Sequence, residues 1–169
     1  NSGAGHPSFT VTVHDEPTVI VDLLLKGGGS ENCGAQYKLP DPSLKAGRDL
    51  AGVEKCVIDA AFKAQGFGCA PGILGVCLGG DRAGGYAEAK KQLLRPLGDA
   101  NPEPQLAGLE ARLKDRINTL GIGPMGFGGG TTVLAVKAGV LHRHPACFFV
   151  TIAYSCWASR RRRAIVRDG

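Results

Sequence analysis

The stretch RHPACFFVTIAYSCWASRRRR, from Arg143 to Arg163, decides how the rest of the chain can fold. Its centre, Phe148–Tyr154, is a largely apolar run of the kind that forms a buried strand. His144 precedes this run and Cys156 follows it. A rigid strand can hold two such side chains in fixed positions, and functional residues often lie where strands end. Taken alone, the stretch is nevertheless more typical of a core strand with an inert, buried cysteine.

The composition is that of an ordinary globular domain. The chain has 169 residues, of which 43% are hydrophobic and 21% are charged, enough for one domain with a substantial core. The formal net charge is +5, and five arginines and one aspartate within residues 160–168 account for +4 of it. We therefore expect a neutral domain with a solvated basic tail. Aromatic residues make up only 6% and mostly fall in apolar strands, which disfavours a nucleic-acid surface.

The six cysteines indicate a reducing compartment rather than a disulfide framework. No CxxC pair is present, so a zinc finger or ribbon is disfavoured, and a core of this size needs no disulfides. No apolar run reaches the roughly 18–20 residues of a membrane span. From these features we expect a cytoplasmic protein without a membrane segment.

Hydrophobic spacing predicts the order β-β-α-β-α-α-β-β, which is an α/β class: a single domain with a mixed sheet flanked by helices. Asp49 or Ser43 is a plausible cap of the first helix, and Asn101-Pro102 predicts the start of the third. Glu110 and Lys114 are spaced as a supporting ion pair on that helix. The predicted strands cover residues 9–14, 18–26, 73–78, 133–140 and 148–154.

Two glycine-rich segments suggest close backbone approaches. Gly27–Asn32 (GGGSEN) follows a predicted strand, and its bare N–H groups could meet a carboxylate or phosphate, although a plain turn is the commoner meaning of three glycines. Residues 121–126 spell G-x-G-x-x-G, but they follow a helix and precede a strand. The dinucleotide-binding motif requires the reverse context, so we reject that site.

Two of the cysteines differ from the others in context. Cys56 falls in a predicted helix and Cys77 in a predicted strand, which indicates structural roles. Cys69 lies in a glycine-proline turn and Cys156 at a strand exit, where thiols can point into a cleft. They could be two of three ligands of an iron–sulfur cluster, and two unrelated buried thiols fit the spacing equally well.

Four ordered motifs are more specific than any of these spacings. The motifs are KGGGSEN (Lys26–Asn32), GCAPGILGVCLGGDR (Gly68–Arg82), LGIGPMGFGGGTT (Leu120–Thr132) and RHPACFFVTIAYSCWASRR (Arg143–Arg161). Together they closely resemble the family of iron-dependent class I fumarases and L-(+)-tartrate dehydratases, in particular its α-subunit. The resemblance extends from about residue 20 to residue 161.

The resemblance implies a [4Fe-4S] hydro-lyase that adds or removes water across a four-carbon dicarboxylate. Three cysteines hold the cluster in this family and leave one iron open as a Lewis acid. Cys69 matches the second of these cysteines, and Cys156 matches the third. Gly29 matches a glycine whose N–H meets a substrate carboxylate. His144 matches a histidine that faces the substrate.

The family's first cluster cysteine and its aspartate base belong to a motif that the chain lacks. We therefore expect residues 1–169 to be an α-subunit-type domain that is a fragment without its N-terminal helical part, an expectation that fits a chain beginning at Asn1. Cys33 or Cys77 could replace the missing ligand, but neither context supports this. Gly130 stands where many relatives have a lysine, and Cys33 also stands where lysine is frequent.

The resemblance also implies partners and a substrate. A β-subunit or a fused C-terminal domain would complete the active site, and an oligomer is expected. His144 narrowly favours fumarate as the substrate, whereas AQGFGC and FFVTIAYSCWA are closer to the tartrate branch, so an L-(+)-tartrate dehydratase α-subunit is the alternative. A non-catalytic α/β binding domain with a basic tail is the weaker hypothesis from a different class.

Overall fold

The computed structural model describes residues 3–4 and 7–167, and its main sheet has four strands. The sheet order is β2-β5-β3-β4; β3 and β4 run parallel, and the other neighbours are antiparallel. The strands are β1 (Thr18–Leu25), β2 (Ala35–Lys38), β3 (Gly72–Gly79), β4 (Val133–Leu141), β5 (Phe149–Ser155) and β6 (Arg160–Arg167). The helices are α1 (Gly28–Asn32), α2 (Leu50–Ala64), α3 (Arg82–Gln92) and α4 (Pro104–Asn118), with a 3-10 turn at Pro124–Gly126.

The main sheet is covered by helices on both faces, as the predicted α/β class requires. Leu74, Val76 and Leu78 of β3 face α2 and α4 in the larger core cluster. Ile73 and Cys77, which alternate with them, pack with α3 in a smaller cluster. This division follows from the period of two along a strand. The prediction of one mixed sheet flanked by helices is confirmed.

The two predicted core strands at the centre of the sheet are also confirmed. All eight residues of β3 and all seven of β5 are buried. Both strands have neighbours on each side and helices above and below, so their side chains are enclosed in every direction. Cys56 and Cys77 are completely buried within this core, as their predicted structural roles require.

The basic tail has solvent-exposed side chains, as predicted, but it forms a strand that the sequence did not predict. Residues 160–167 form β6, which pairs antiparallel with β1 in a separate two-stranded sheet. The guanidinium of Arg163 donates to both carboxylate oxygens of Asp22, at 2.7 and 2.8 Å. The sequence did not predict β6 because a half-buried strand is recognised by alternating apolar and polar residues. This alternation is absent in β6, where nearly every side chain is exposed.

The strand predicted at residues 9–14 is absent. Phe9, Val11 and Val13 are each more than four-fifths exposed, and no strand within residues 7–167 pairs with them. Alternating apolar residues form a strand only where a neighbour supplies the ladder hydrogen bonds. β1, at residues 18–25, is the first strand and confirms the second predicted one.

The third helix begins at Pro104, later than predicted, because Asn101 does not cap it. Glu103 caps α4, and Asn101 instead donates to Glu110 and to the carbonyl oxygen of Ala138. Glu110 is buried and pairs with Arg95, not with Lys114. The buried apolar stripe of α4 was correctly predicted. Glu110, which was expected at the surface, instead contacts β4 through the Ala138 N–H. Asp49 caps α2 as expected, through a 2.7 Å bond from the Gly52 N–H.

No helix in the described part of the chain is both long and apolar enough to cross a membrane.

Candidate functional site

Four loops meet at one end of the main sheet. β3 and β4 begin at this end, and β5, which runs antiparallel to β3, finishes there. β2 also begins there, since Ala35 pairs with Ile152 near the end of β5. The segments that precede or follow these strand ends are therefore neighbours: 26–34, 66–72, 121–132 and 156–159. They contain three of the four predicted site residues, Gly29, Cys69 and Cys156.

Cys69 occupies a tight turn ahead of β3. Its φ is +58°, a left-handed conformation, and its N–H donates to the carbonyl oxygen of Gly66 at 3.1 Å. The following Ala70-Pro71 bond is cis. Cys69 is partly exposed and unbridged, so its thiol remains available for ligation.

The rejected G-x-G-x-x-G segment forms a folded loop that packs on the Cys69 turn. The Met125 N–H donates to the carbonyl oxygen of Ala70 at 2.9 Å. A Cβ on Gly66 would lie 2.3 Å from the Met125 carbonyl oxygen, so only glycine permits this approach. Gly123 has φ +68°, and a Cβ there would lie 1.9 Å from the Gly128 carbonyl oxygen. These glycines allow the two loops to pack closely. Their role is therefore structural, in agreement with the rejection of a dinucleotide site.

Tyr154 lies beneath the Cys69 turn. A Cβ on Gly68 would lie 2.4 Å from its ring, and a Cβ on Gly72 would lie 2.2 Å from it. The residue is 2% exposed, and its hydroxyl has no hydrogen-bond partner among the described residues. Burial and, after it, the neighbouring thiols of Cys33, Cys69 and Cys156 raise the pKa of Tyr154. Tyr154 was not among the predicted site residues. It lies two residues before Cys156, so the period of two along a strand places both side chains on the same face.

Gly29 lies in the first turn of α1, beside the Cys69 segment. The predicted glycine turn is a five-residue helix, whose first bond is donated by Glu31 to Gly27. The N–H of Gly29 precedes this bond and has no acceptor within the helix. A Cβ on Gly29 would lie 3.1 Å from the Phe67 carbonyl oxygen, so α1 is packed closely against the chain that leads to Cys69.

Lys26 and Glu31 give this part of the site its charge. Lys26 lies 2.8 Å from Glu31, and Lys90 lies 2.7 Å from the other carboxylate oxygen. Burial lowers the pKa of Lys26, and Glu31 opposes that shift. Burial raises the pKa of the Cys33 thiol at the end of α1, while Lys26 acts in the opposite direction.

The two cysteines considered as substitutes for the missing ligand differ in location. Cys33 ends α1 on the same side as Cys69, which is close enough to contribute to raising its pKa. Cys77 lies within β3 against α3, and burial raises its pKa to about 12. Of the two, only Cys33 is near the loops that contain Cys69 and Cys156.

His144, the fourth predicted site residue, lies at the opposite end of β5. All seven residues of β5 lie between it and Cys156, and a strand of that length spans roughly 20 Å. His144 is exposed, and its Nδ1 accepts a 3.1 Å hydrogen bond from the Ala146 N–H. A neutral imidazole that accepts at Nδ1 carries its proton on Nε2, which leaves a donor directed away from the backbone.

Arginines surround the loop that contains His144. Arg143 donates to the carbonyl oxygen of Cys147 at 3.0 Å and stacks on the Phe148 ring. The guanidinium of Arg48 donates to the carbonyl oxygen of Pro145. An open cleft of about 470 Å³ is lined by Arg48, Leu141, His142, Arg143 and Pro145. This end of the sheet is basic and polar, in contrast to the cysteine-containing end.

The cysteine-containing end does not by itself form a complete metal site. No three His, Cys, Asp or Glu side chains within residues 3–4 and 7–167 are grouped tightly enough to hold a metal ion. The residues nevertheless fit an iron–sulfur cluster in part. The free thiols of Cys69 and Cys156 extend from adjoining loops, and the buried Tyr154 hydroxyl beside them has no hydrogen-bond partner in the described part of the chain. A cluster there would need at least one further ligand.

Comparison with known families identifies the chain. The family model described as fumarate hydratase (fumerase) matches residues 1–165. The chain belongs to this fumarate hydratase family. Its sequence is 49% identical over 164 residues to a Geobacillus stearothermophilus protein provisionally named a class I fumarate hydratase.

Relatives named for tartrate are also similar. The chain is 38% identical over 163 residues to a Methanocaldococcus jannaschii protein provisionally named L(+)-tartrate dehydratase subunit alpha. It is 32% identical over 167 residues to the L(+)-tartrate dehydratase subunit alpha of Escherichia coli K12.

The matched region is only part of each relative. Alignment covers 95%, 95% and 98% of this chain, but 32% of the Geobacillus protein, 55% of the Methanocaldococcus protein and 54% of the E. coli protein. The chain therefore spans from just under a third to just over half of the length of these relatives.

Proposed function

We propose that this chain is the cluster-binding part of a [4Fe-4S]-dependent hydro-lyase that interconverts a four-carbon dicarboxylate and its hydrated form. Family membership and the alignments with proteins named fumarate hydratase and tartrate dehydratase support this reaction class. The observation that carries the proposal is structural: Gly29, Cys69 and Cys156 come from distant parts of the sequence and lie on loops at one end of the sheet.

In this proposal Cys69 and Cys156 ligate the cluster, whose open iron would supply Lewis-acid chemistry at the substrate. The chain's own contribution is to fix the two thiols on rigid supports. Cys69 is held by its turn and by the Met125 loop, and Cys156 follows a fully buried strand. Because both thiols are already held in place, cluster binding does not have to order these two loops.

Gly29 would bind one carboxylate of the substrate through its backbone N–H. Its N–H is free of helical bonding, and the largely buried ammonium of Lys26, which is paired with Glu31 at 2.8 Å, lies in the same segment. The absent side chain matters, because a Cβ at this position would already touch the Phe67 carbonyl oxygen. The N–H group and the cation together favour an anionic group at this point.

The third cluster ligand and the catalytic base are proposed to come from residues other than those of this chain. A β-type subunit or a fused C-terminal domain would supply further substrate contacts. The coverage of 32–55% of the relatives' lengths, and the name "subunit alpha", agree with such additional parts. Cys33 is the member of this chain that comes nearest to a third thiol.

His144 can contribute to such a site only across an interface. It lies roughly 20 Å from Cys156 along β5, which is farther than a four-carbon substrate can reach. If its Nε2–H faces the substrate, as the family resemblance implies, the histidine must come from a second copy of the chain. The proposed oligomer then has sites at the boundary between two copies, each formed by the cysteine end of one and the histidine end of the other.

Fumarate is the proposed substrate, and L-(+)-tartrate is the alternative. The protein named a fumarate hydratase is more similar to this chain, at 49% identity, than the two named tartrate dehydratases, at 38% and 32%. We infer a reducing cytoplasmic location, because all six cysteines are free thiols in an iron–sulfur protein of this kind.

The deciding experiment uses the complete protein, together with any partner subunit, purified without oxygen. The expected preparation has the broad visible absorption of a cysteine-bound cluster and hydrates fumarate. Dehydration of L-(+)-tartrate in place of fumarate hydration would support the alternative substrate. A colourless, iron-free preparation without either activity would overturn the proposal.

A further inference from the structure

We propose that Tyr154 is a positioning residue whose hydroxyl donates a hydrogen bond to a sulfur atom at the cluster site, either a cysteine thiolate or an inorganic sulfide. The inference rests on the proposed iron–sulfur function. It adds a residue that was not among the predicted site residues. The partner is defined by chemistry, as an electron-rich sulfur that is present only when the cluster is bound.

The geometry directs this side chain to the Cys69 turn. Tyr154 is two residues before Cys156 on β5, and its ring fits under the segment that begins at Gly68 and ends at Gly72. A Cβ built on Gly72 would lie 2.3 Å from the hydroxyl oxygen itself. Both flanking positions must be glycine for the ring to occupy this space, so the turn is shaped around the tyrosine.

The hydroxyl is the unusual part of the arrangement. It is buried and lacks a hydrogen-bond partner among the described residues. A phenol placed in such a position costs free energy relative to phenylalanine, because its hydroxyl loses its hydrogen bonds to water. Ring packing alone would be achieved equally well by phenylalanine, so packing does not account for the hydroxyl.

Sulfur acceptors account for it. Tyr154 is two residues before Cys156, and its ring lies against Gly68 and Gly72 on either side of the Cys69 turn, so its hydroxyl lies close to these two cysteines. Hydrogen bonds to cluster sulfurs stabilise the reduced, more negative state and so set the reduction potential. Tyr154 would thus hold the cluster in place and make its reduction easier, without contacting the substrate.

The variant Tyr154→Phe tests this inference, with Tyr37→Phe as the matched control. The Tyr37 hydroxyl donates to Asp59 at 2.7 Å, so its partner belongs to the protein and is present with or without a cluster. Both variants are prepared in the complete protein with any partner subunit, and each is measured in the cluster-free and cluster-loaded forms. The readouts are melting temperature, cluster midpoint potential and the rate of iron loss to a chelator.

The expected results differ in sign between the variants. Without the cluster, Tyr154→Phe melts at the same temperature as the parent or higher, whereas Tyr37→Phe melts lower. With the cluster, Tyr154→Phe has a more negative midpoint potential and loses iron about three- to tenfold faster, the factor expected for one lost hydrogen bond. Tyr37→Phe leaves the potential unchanged.

Two results would overturn the inference while leaving the proposed function intact. One is a cluster in Tyr154→Phe with the parent's potential and rate of iron loss. The other is a cluster-free Tyr154→Phe protein that is destabilised as much as Tyr37→Phe, which would mean that the hydroxyl already has a partner. A parent protein that binds no cluster would instead overturn the proposed function, and with it the basis of the inference.

Discussion

The backbone N–H of Trp157 donates a hydrogen bond to the carbonyl oxygen of Cys69 across an N···O distance of 3.5 Å. The bond joins the turn that precedes β3 to the loop that follows β5. Cys156, the neighbour of Trp157, is therefore held close to Cys69 although 87 positions separate the two in sequence. A long weak bond of this kind leaves room for adjustment while keeping both thiols on one side of the sheet.

Replacing either proposed cluster ligand should abolish the cluster. In Cys69→Ser and Cys156→Ser a hydroxyl replaces the thiol, and thiolate is the ligand that iron–sulfur clusters require. We expect the anaerobic visible absorption and fumarate hydration to be lost in both variants. The control is Cys147→Ser, because Cys147 is a free thiol at the opposite end of β5. Full absorption in both ligand variants would contradict the assignment.

Adding a methyl group beneath the Cys69 turn should destabilise the fold. In Gly68→Ala and Gly72→Ala the new Cβ would lie 2.4 and 2.2 Å from the Tyr154 ring. Overpacking of a buried ring costs about 1–3 kcal/mol of the free energy of unfolding, measured by denaturant titration. Gly98→Ala is the control, since a Cβ there meets nothing within 4 Å. Equal stability of all three variants would show that the turn is not shaped by the ring.

The buried carboxylate of Glu110 should be more important for stability than any surface ion pair. It accepts three hydrogen bonds of 2.7 Å, from Arg95, Asn101 and the Ala138 N–H. Glu110→Gln keeps the shape but removes the charge that balances Arg95, so we expect a loss of about 3 kcal/mol in the free energy of unfolding. Glu54→Gln, which affects pairs with two half-exposed arginines, should cost less than about 1 kcal/mol. Comparable losses would argue against a special role for Glu110.

Stability should fall in acid partly because of Asp99. Burial raises the pKa of this carboxyl, but hydrogen bonds from Arg95 and Lys137 outweigh burial and leave the pKa below its ordinary value. A carboxyl with a lower pKa when folded stabilises the protein above its unfolded pKa of about 4 and loses this effect as the pH falls through the folded pKa.

The test compares Asp99→Asn with the parent by denaturant unfolding from pH 7 to pH 2. The parent should be more stable at pH 7, and the difference should shrink steadily below about pH 5. Asp115→Asn on the exposed face of α4 is the control and should change stability by less than about 0.5 kcal/mol throughout. A difference between Asp99→Asn and the parent that stays constant with pH would contradict the predicted shift.

Two inactive variants should restore activity when mixed, if His144 reaches the site from a second copy. Cys69→Ser lacks the cluster and His144→Asn lacks the imidazole, but a mixed dimer has one site in which both are intact. Random exchange in a two-fold dimer then gives about a quarter of the parent's sites. Activity is measured after the two purified variants are unfolded and reassembled together without oxygen. Reassembly of each variant alone is the control.

Failure of the mixture, with His144→Asn inactive by itself, would mean that the histidine and the cysteines of one chain serve the same site. Full activity of His144→Asn alone would remove His144 from the proposed machinery.

The sequence predicted the buried centre of the fold well, because the signals there are strong. β3, β4 and β5 are largely apolar runs, and α2 has both a clear stripe and an aspartate cap. β2 was missed because four residues with mixed polarity give no periodic signal. The strand at 9–14 was predicted wrongly because alternation says nothing about whether a pairing partner exists.

The candidate site was only partly predictable, for a geometric reason. Sequence motifs predicted Gly29, Cys69, Cys156 and His144 as site residues, but motif order contains no information on the direction of β5. Only the antiparallel pairing of β5 with β3 shows that Cys156 lies beside Cys69 while His144 lies at the far end. Tyr154 escaped notice because an orphaned hydroxyl is a property of packing, which no pattern of residue types reveals.

The antiparallel course of β5 also restricts how this region can change length. Removing one residue from the strand before Tyr154 would move each later side chain to the opposite face of the sheet. Tyr154 would then face α3 instead of lying under the Cys69 turn. Removing two residues would keep each side chain on its face but shorten the reach between the histidine and cysteine ends by roughly 7 Å. The length of β5 therefore sets both the face on which Tyr154 lies and the distance between His144 and Cys156.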